Sequence, residues 1–521
     1  MAPAPELASK DFMKVVDQLW RDRRETYVSS PNQLLIDVNE AFADNKLFVS
    51  LHTSKVLPGY LISARCMVQN TLTPEYFPLS CTVSKGSETL EVTGCLRDSF
   101  EDDVTNLVDH GHHHSRYCYK MVMVPGAVDW WLDDFNKTQT TALCSLTHGL
   151  QQMEISPAPV PAKITEFVAK VFDDGTPELK ANTVVDIYGY LSASTHSGGE
   201  DDTRLDSSEQ VTVHVLRMEE VRHVPLTDSE ESASTNSPSI RNDLIREVSS
   251  VLGSTSAADI FINFLVSTTY SRPGGTPLCF LPLNIVGITD SGVAHKVIEL
   301  VQHLMPKVKV LTLTPELLSK ARFAPVKNYE TDTLLQGELQ LSNGTVLIID
   351  ETQLPTGSFP VSGFVEENLK VLEELIVEHR VSYDYGFYKI PMDVDYNVLI
   401  LSKKESRFFK TPFRIPIEPS NSPVCVGNVE KKREYLQRCR SGVSSVSLTD
   451  DVSKKVQDSF VDMCASLDTK TDKAALLNEM LILSRLVASS SGSSSVEFEH
   501  WQHAIRISSA NSSEMSMWRS R

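Results

Sequence analysis

A multi-domain α+β fold is predicted by three observations along the chain. Residues 60–221 hold about seven short segments rich in β-branched and aromatic residues, separated by turn signals. Beyond residue 240 apolar strands alternate with helix-period segments, the pattern of a mainly parallel sheet. The tail, 448–521, is dominated by helical periodicity. The expected organisation is an N-terminal helical segment (1–55), an OB-like β-barrel domain (56–225), an acidic Ser-rich linker (226–240), an AAA+-like α/β domain (241–420), a second linker (421–447) and a C-terminal helical lid-like domain (448–521).

Each element has its own justification. In 6–26, Phe12, Val15, Val16 and Leu19 recur at helical spacing with charge on the other face. The segments YLISARCMVQN, YFPLSCTVSKG, LEVTGCLRD and RYCYKMVMVPG read as strands. After a Pro-rich connection at 156–163, ITEFVAKVFDD, NTVVDIYGYLSAS and VTVHVLRMEEV continue the pattern, which suits a small barrel. Gly189, inside a strand, is expected at a bulge or sharp bend. Residues 196–210 read as a long loop, and 227–239 as a linker too polar to bury much surface.

In the α/β part, IRNDLIREVSSVL, AADIFINFLVSTTY, SGVAHKVIELVQHLM and VEENLKVLEELIVEH read as helices. LCFLPLNIVGI, TVLIIDE and DYNVLILSKK read as buried strands, and KVKVLTLTPELLS as a strand followed by a turn. In the tail DDVSKKVQDSFVDMCASL and KAALLNEMLILSRLVASS are helical, and SSSGSSS is a flexible break before VEFEHWQHAIRI.

Composition narrows the function classes. The chain has 521 residues, roughly three domains at about 150 each. With 49 basic and 68 acidic residues the formal net charge is −19, opposite to the basic footprint of proteins that coat duplex DNA. No apolar run reaches the roughly 18 residues of a membrane span, and MAPAPELASKDFMKVV lacks a secretory pattern. The nine cysteines form no CxxC pair, which points to a reducing compartment, cytosol or nucleus.

The sharpest chemical signal is a degenerate nucleotide site. Gly287 and Gly292 frame GITDSG, a G-x-x-x-x-G spacing between a strand and a helix. A working phosphate loop continues with Lys, which reaches the β- and γ-phosphates, and with Ser or Thr, whose hydroxyl holds magnesium. Val293 and Ala294 stand there instead, and Asp290 adds a negative charge. Farther along, LIIDE ends in Asp350 and Glu351, like the acidic strand that holds the metal in P-loop enzymes. The expectation is an ATPase-like fold without ATPase activity. An unrelated sheet whose Asp350 and Glu351 cap a strand is the plainer alternative.

Other candidates carry less. The HGHHH run (His110, His112, His113, His114) beside Asp109 has no cysteine partners at zinc spacing and is read as a solvated loop. Lys431, Lys432, Arg433, Arg438 and Arg440 form a basic cluster, read as a solvated helix face rather than a nuclear address. Arg407, between Ser406 and Phe408 after the last core strand, is read as a surface arginine rather than one acting on a neighbouring subunit. No catalytic residue, cofactor or metal ligand is assigned.

Several strings in register resemble the mini-chromosome maintenance complex-binding protein family. They are RCMVQ (65–69) with PEYF (74–77), VPG (124–126) with Trp130, VVDIYGYLS (184–192), FLVSTTYSR (264–272), LIIDET (347–352), VSYDY (381–385), YNVLI (396–400) and DDVSKKVQDSFVDM (450–463). The family's NPLG segment is not evident in residues 1–50, and its long insertion before the ELYGILS strand is shortened. The resemblance implies a non-enzymatic nuclear factor, with room for a cytoplasmic pool, that binds subunits of the minichromosome maintenance replicative helicase and meets chromatin indirectly. It further implies roles in assembly, stability and unloading of the complex during DNA replication, in the cell cycle and mitosis, and in sister-chromatid cohesion. Direct DNA binding and membrane contact are not expected. The alternatives are a weak ATPase using Asp350 and Glu351, or a single-stranded DNA adaptor working through the barrel.

Overall fold

The computed structural model describes residues 5–53, 56, 58–85, 88–98, 100, 104–137, 164–172, 178–194, 210–222, 237–355, 361–418, 423–465 and 472–520. The connection expected at 156–163 lies outside these residues, as do the loop at 196–210 and the linker at 226–240 for the most part. The fold is mixed α+β, with several sheets and twelve α-helices among the described residues. It divides into two compact units. Unit one comprises Met1–Pro125, Asp129–Val221 and Tyr329–Leu334; unit two comprises Gly126–Val128, Arg222–Asn328 and Leu335–Arg521.

Unit one opens with helix α1 (Pro5–Ser29), which kinks at Arg23. Phe12, Val16, Trp20 and Tyr27 are fully buried, while Val15 and Leu19 pack at the margin. A second helix, α2 (Asn32–Ala41), lies within the segment 1–55 expected to be helical, and Leu34 and Val38 form its buried face. The side-chain amide of Asn39 donates to Leu216 O at 2.7 Å and ties α2 to the sheet.

The strands of unit one are β1 (Val49–Ser50), β2 (Leu61–Pro78), β3 (Cys81–Lys85), β4 (Glu88–Val92), β5 (Asn106–Asp109), β6 (His113–Met123), β7 (Glu166–Phe172), β8 (Val184–Ser194) and β9 (Gln210–Glu220). β2 pairs antiparallel with β6 and with β8. β6 pairs with β7, β7 runs parallel to β9, and β9 pairs with β8, so five strands close into a ring. Alternate residues fill it: Ile62, Ala64, Cys66 and Val68 meet Tyr119, Met121, Phe167, Ile187 and Val213. The opposite face, with Leu61, Tyr188 and Leu216, packs against α1 and α2.

YLISARCMVQN and YFPLSCTVSKG, expected as two strands, divide differently: the first joins Tyr76–Pro78 of the second in the eighteen-residue β2, and the rest of the second forms β3. Register shifts between Val68 and Asn70 and between Leu72 and Glu75 bend it around the barrel. Gly189 sits at a register shift, as its place in the sequence suggested. A Cβ there would lie 2.4 Å from His214 O, so only glycine lets β8 approach β9. A separate small sheet, in the order β4-β3-β5, covers Cys81, Val83 and Val92. A short helix, α3 (Asp129–Lys137), follows β6.

Unit two is built on a parallel sheet. Its strands are β10 (Leu283–Val286), β11 (Val308–Thr312), β14 (Val346–Asp350), β17 (Asn397–Ser402) and β18 (Phe413–Pro416), in the order β11-β14-β17-β10-β18. Every neighbouring pair is parallel. β10, β14 and β17 are buried at every position, which explains their unbroken apolar sequences. Its shorter strands are β12 (Val326–Asn328), β15 (Arg380–Asp384) and β16 (Lys389–Asp393), of which β15 and β16 form an antiparallel hairpin; β13 (Thr333–Leu335) begins in the Tyr329–Leu334 piece of unit one.

The helices around this sheet are α4 (Ser237–Leu252), α5 (Thr255–Val266), α6 (Ser291–Leu304), α7 (Pro315–Lys320), α8 (Phe364–Glu378), α9 (Val429–Gly442), α10 (Asp450–Ala465), α11 (Lys473–Ser490) and α12 (Phe498–Ser520). From Ser256 to Val266 α5 is buried all round, as a helix apolar on every face must be. Where a turn was expected after β11, α7 forms, because Thr314 caps it and Pro315 sets its first turn. The 421–447 stretch, expected as a linker, carries α9 with Tyr435, Leu436 and Cys439 buried. SSSGSSS is a hydrogen-bonded turn rather than a loose break: Ser491 N–H reaches Val487 O, and Ser489 and Ser490 are buried.

Replacing Gly189 by alanine is expected to destabilise the protein by about 1–3 kcal/mol, the usual range for overpacking. Urea unfolding of Gly189→Ala and Gly189→Val checks this, and valine must cost more.

Candidate functional site

The registers bring the sequence-predicted residues to one edge of the parallel sheet. Val286 lies beside Ser402, and Asp350 beside Leu401, so Gly287 and Glu351 both leave the carboxyl ends of their strands with β17 between them. Ligands of open α/β sheets bind at that edge. Gly287 adopts φ +88°. A Cβ on it would lie 3.0 Å from the Trp518 indole nitrogen and 3.3 Å from Ile417 O, so α12 already packs against the loop.

The donors a phosphate would use are occupied. Asp290 caps α6: its Oδ1 accepts the N–H groups of Gly292 at 2.8 Å and Val293 at 3.1 Å. Those bonds, with one from the Thr289 hydroxyl, hold the Asp290 carboxyl below its usual range. Val293 and Ala294 point into the core, where a lysine or a metal-binding hydroxyl is needed.

The acidic pair is turned inward. Asp350 accepts the Thr352 N–H at 2.9 Å. Glu351 accepts the Ser406 hydroxyl at 2.6 Å, and burial pushes its carboxyl upward despite that bond. Ser406 N–H donates to Asn284 Oδ1, whose amide nitrogen donates to the Ser402 hydroxyl. Glu351 is thus a buried cross-brace between β14 and the segment after β17. Arg407 donates to Pro355 O at 3.0 Å.

The histidine run is split rather than gathered. His110 bonds the hydroxyls of Ser80 and Thr82, both at 2.8 Å; His113 pairs with Asp109; His114 packs on Phe172. No group of three metal-ligating side chains occurs among the described residues. The basic cluster differs from a solvated face. Lys432 is buried against Glu247, Arg433 donates to His303 O, and Arg440 is buried.

Sequence reasoning missed three polar networks, one in unit two and two in unit one. In unit two, the Asn397 amide donates to Phe264 O at 2.8 Å and Ser267 O at 2.9 Å, and its oxygen accepts Arg440 at 2.7 Å. Asp395 accepts the Thr268 hydroxyl at 2.6 Å and the Thr269 N–H at 2.8 Å. His379, left-handed at the C-terminus of α8, sets Nε2 against the Tyr396 backbone, 2.9 Å from its O and 3.0 Å from its N, and Nδ1 2.9 Å from the Thr269 hydroxyl. In unit one, Lys170 and Arg116 both bridge Glu75 and Asp98. Burial opposes ionisation of Asp98, but His214 and Lys170 hold its carboxyl well below the usual range. Complete burial lowers His214, whose Nε2 lies 3.2 Å from Asp98. Arg65 forks onto Asp186 with two 2.8 Å bonds and lies over the Trp131 ring. The only signal for these networks was that Arg65, Glu75, Asp186, Thr268, Thr269, Tyr396 and Asn397 stand inside the strings that carry the family resemblance.

The family model described as mini-chromosome maintenance replisome factor matches residues 133–515, well over half of the chain. The chain belongs to this family. Proteins named mini-chromosome maintenance complex-binding protein are similar to it: that of Salmo salar is 27% identical over 387 residues, 65% of this chain and 61% of its own. That of Gallus gallus is 27% identical over 63% of this chain and 58% of its own, and that of Homo sapiens 27% over 66% and 60%. The chain spans about three fifths of the length of these relatives. The window matched to the replisome-factor family includes the degenerate loop, the inward-turned acids and the Asn397 network.

Burial pushes His379 down from 6.5 to about 4. Between those values the unfolded chain binds a proton that the folded chain refuses, so stability falls as pH drops through that window. The expected loss from this group is about 1.4 kcal/mol per pH unit. Unfolding free energies measured from pH 7 to pH 4 check it, and His379→Gln must flatten that slope. Arg440→Ala, which strips a buried partner from Asn397, is expected to cost about 3–5 kcal/mol in the same assay.

Proposed function

We propose that this chain is a non-enzymatic binding partner of minichromosome maintenance helicase subunits. It acts in the nucleus on assembly, stability and unloading of that complex during DNA replication, and through this on sister-chromatid cohesion. The observation that carries the non-enzymatic part is the α6 N-terminus, whose N–H groups are satisfied by Asp290 while Val293 and Ala294 are buried. Phosphoryl transfer depends on positioning and charge neutralisation. This edge offers neither a lysine in the loop nor an outward carboxylate pair for magnesium. The relatives' printed name, complex-binding protein, supports the choice of partner.

The architecture supports a mimicry route. The closed five-strand ring, with β7 parallel to β9, fits an OB-like barrel. The all-parallel sheet, with a glycine loop after β10 and an acidic strand one place removed, fits an AAA+-like domain. Helices α10 to α12 then serve as the lid-like part. A barrel, a degenerate ATPase-like sheet and a lid repeat the layout of a helicase subunit, so the chain docks beside true subunits through folded surfaces.

Co-expression with each minichromosome maintenance subunit, followed by size exclusion with light scattering, tests this. A discrete complex with at least one subunit is expected. A folded chain that elutes alone beside every subunit overturns the proposal.

A further inference from the structure

Among the described residues, no strand pairs with the outer edge of the small sheet in unit one. β5 pairs with β3 on one side, and all four of its residues are exposed. In an antiparallel ladder, residues alternate between bonding the partner and facing away from it. His110 N–H bonds Ser80 O, which sets the alternation: Val108 bonds toward Thr82, and the backbone groups of Leu107 and Asp109 face outward. Leu107 and Val108 are 46% and 48% exposed. Natural edges are usually guarded by lysine, proline or a bulge. Asn106–Asp109 has neither lysine nor proline, and its one irregularity is the Thr105 N–H bond to Ser84 O at the strand's start.

The sheet's apolar side stops at this edge. Leu107 lies opposite Val83, on the side of the cluster formed by Cys81, Val83 and Val92. A strand laid beside β5 would place alternate side chains over that cluster. The charge of the surroundings selects its chemistry. Asp109 is exposed and kept ionised by the Gly111 N–H and by His113. The chain as a whole carries −19.

We infer that β5 is a docking edge for an extended, basic segment of a partner polypeptide, which joins the sheet as a fourth strand. Main-chain bonds to Leu107 and Asp109 supply affinity, and apolar side chains alternating with lysine or arginine supply selectivity. A second copy of this chain is disfavoured, because edge-to-edge pairing brings two strongly acidic molecules together. The inference rests on the subunit-binding proposal, since the partner strand is taken to come from the bound helicase subunit.

Hydrogen exchange on the full chain, free and in the co-purified subunit complex, tests it. The Leu107 and Asp109 amides are expected to slow by about tenfold or more in the complex. Leu107→Pro removes an outward N–H that the sheet does not use, so the melting temperature holds while subunit affinity falls about tenfold. Leu107→Asp, at an exposed position, gives the same loss should the proline variant unfold. A complex that forms with unchanged exchange at 105–109 and undiminished affinity in both variants overturns this inference alone. Absence of any complex with the unaltered chain overturns it together with the function proposed above.

Discussion

Asn397 holds unit two together where strand, helix and carboxyl-terminal layers meet. Its side chain closes the end of α5 by taking the carbonyls of Phe264 and Ser267, and it hands its oxygen to Arg440 of α9. A buried guanidinium is costly unless it is bonded, and here Asn397, Leu265 O and the nearby Asp395 carboxylate compensate it. Asp395 and His379 extend the same device to Thr268, Thr269 and the hairpin strand β15. Geometry as specific as this fixes one arrangement of α5, α9 and β17, the strand that lies between β10 and β14.

At the carboxyl ends of β10 and β14, the Gly287–Gly292 loop and the Asp350–Glu351 pair have donors and acceptors satisfied internally. Asp290 stands in for a phosphate at the helix N-terminus. Glu351 spends its carboxylate on Ser406, and Trp518 lies against the glycine loop. These contacts make the glycine loop and the acidic pair part of the packed core.

Much of this was legible in the sequence, for definite reasons. Unbroken apolar runs marked β10, β14 and β17 because both faces of a parallel sheet are covered. Gly189 marked a close approach because no other residue fits there. The loss of Lys and Ser or Thr after Gly292 was readable directly. Other features depend on distant partners. Asn397 is 133 positions from Phe264, and local periodicity carries no information about that pairing. Lys432 and Arg440 looked solvated because charge usually is; Glu247 and Asn397 bury them. β5 was missed because it is too short to establish a period. The acids Asp350 and Glu351 were found, but their inward orientation required the positions of Thr352 and Ser406.

Isothermal titration of the full chain with ATP and magnesium tests the central claim most directly, because the claim is that the α6 N-terminus is already filled. The account requires no saturable binding up to millimolar nucleotide. Micromolar, magnesium-dependent binding that is lost in Glu351→Gln would contradict it and make this sheet edge a working nucleotide site.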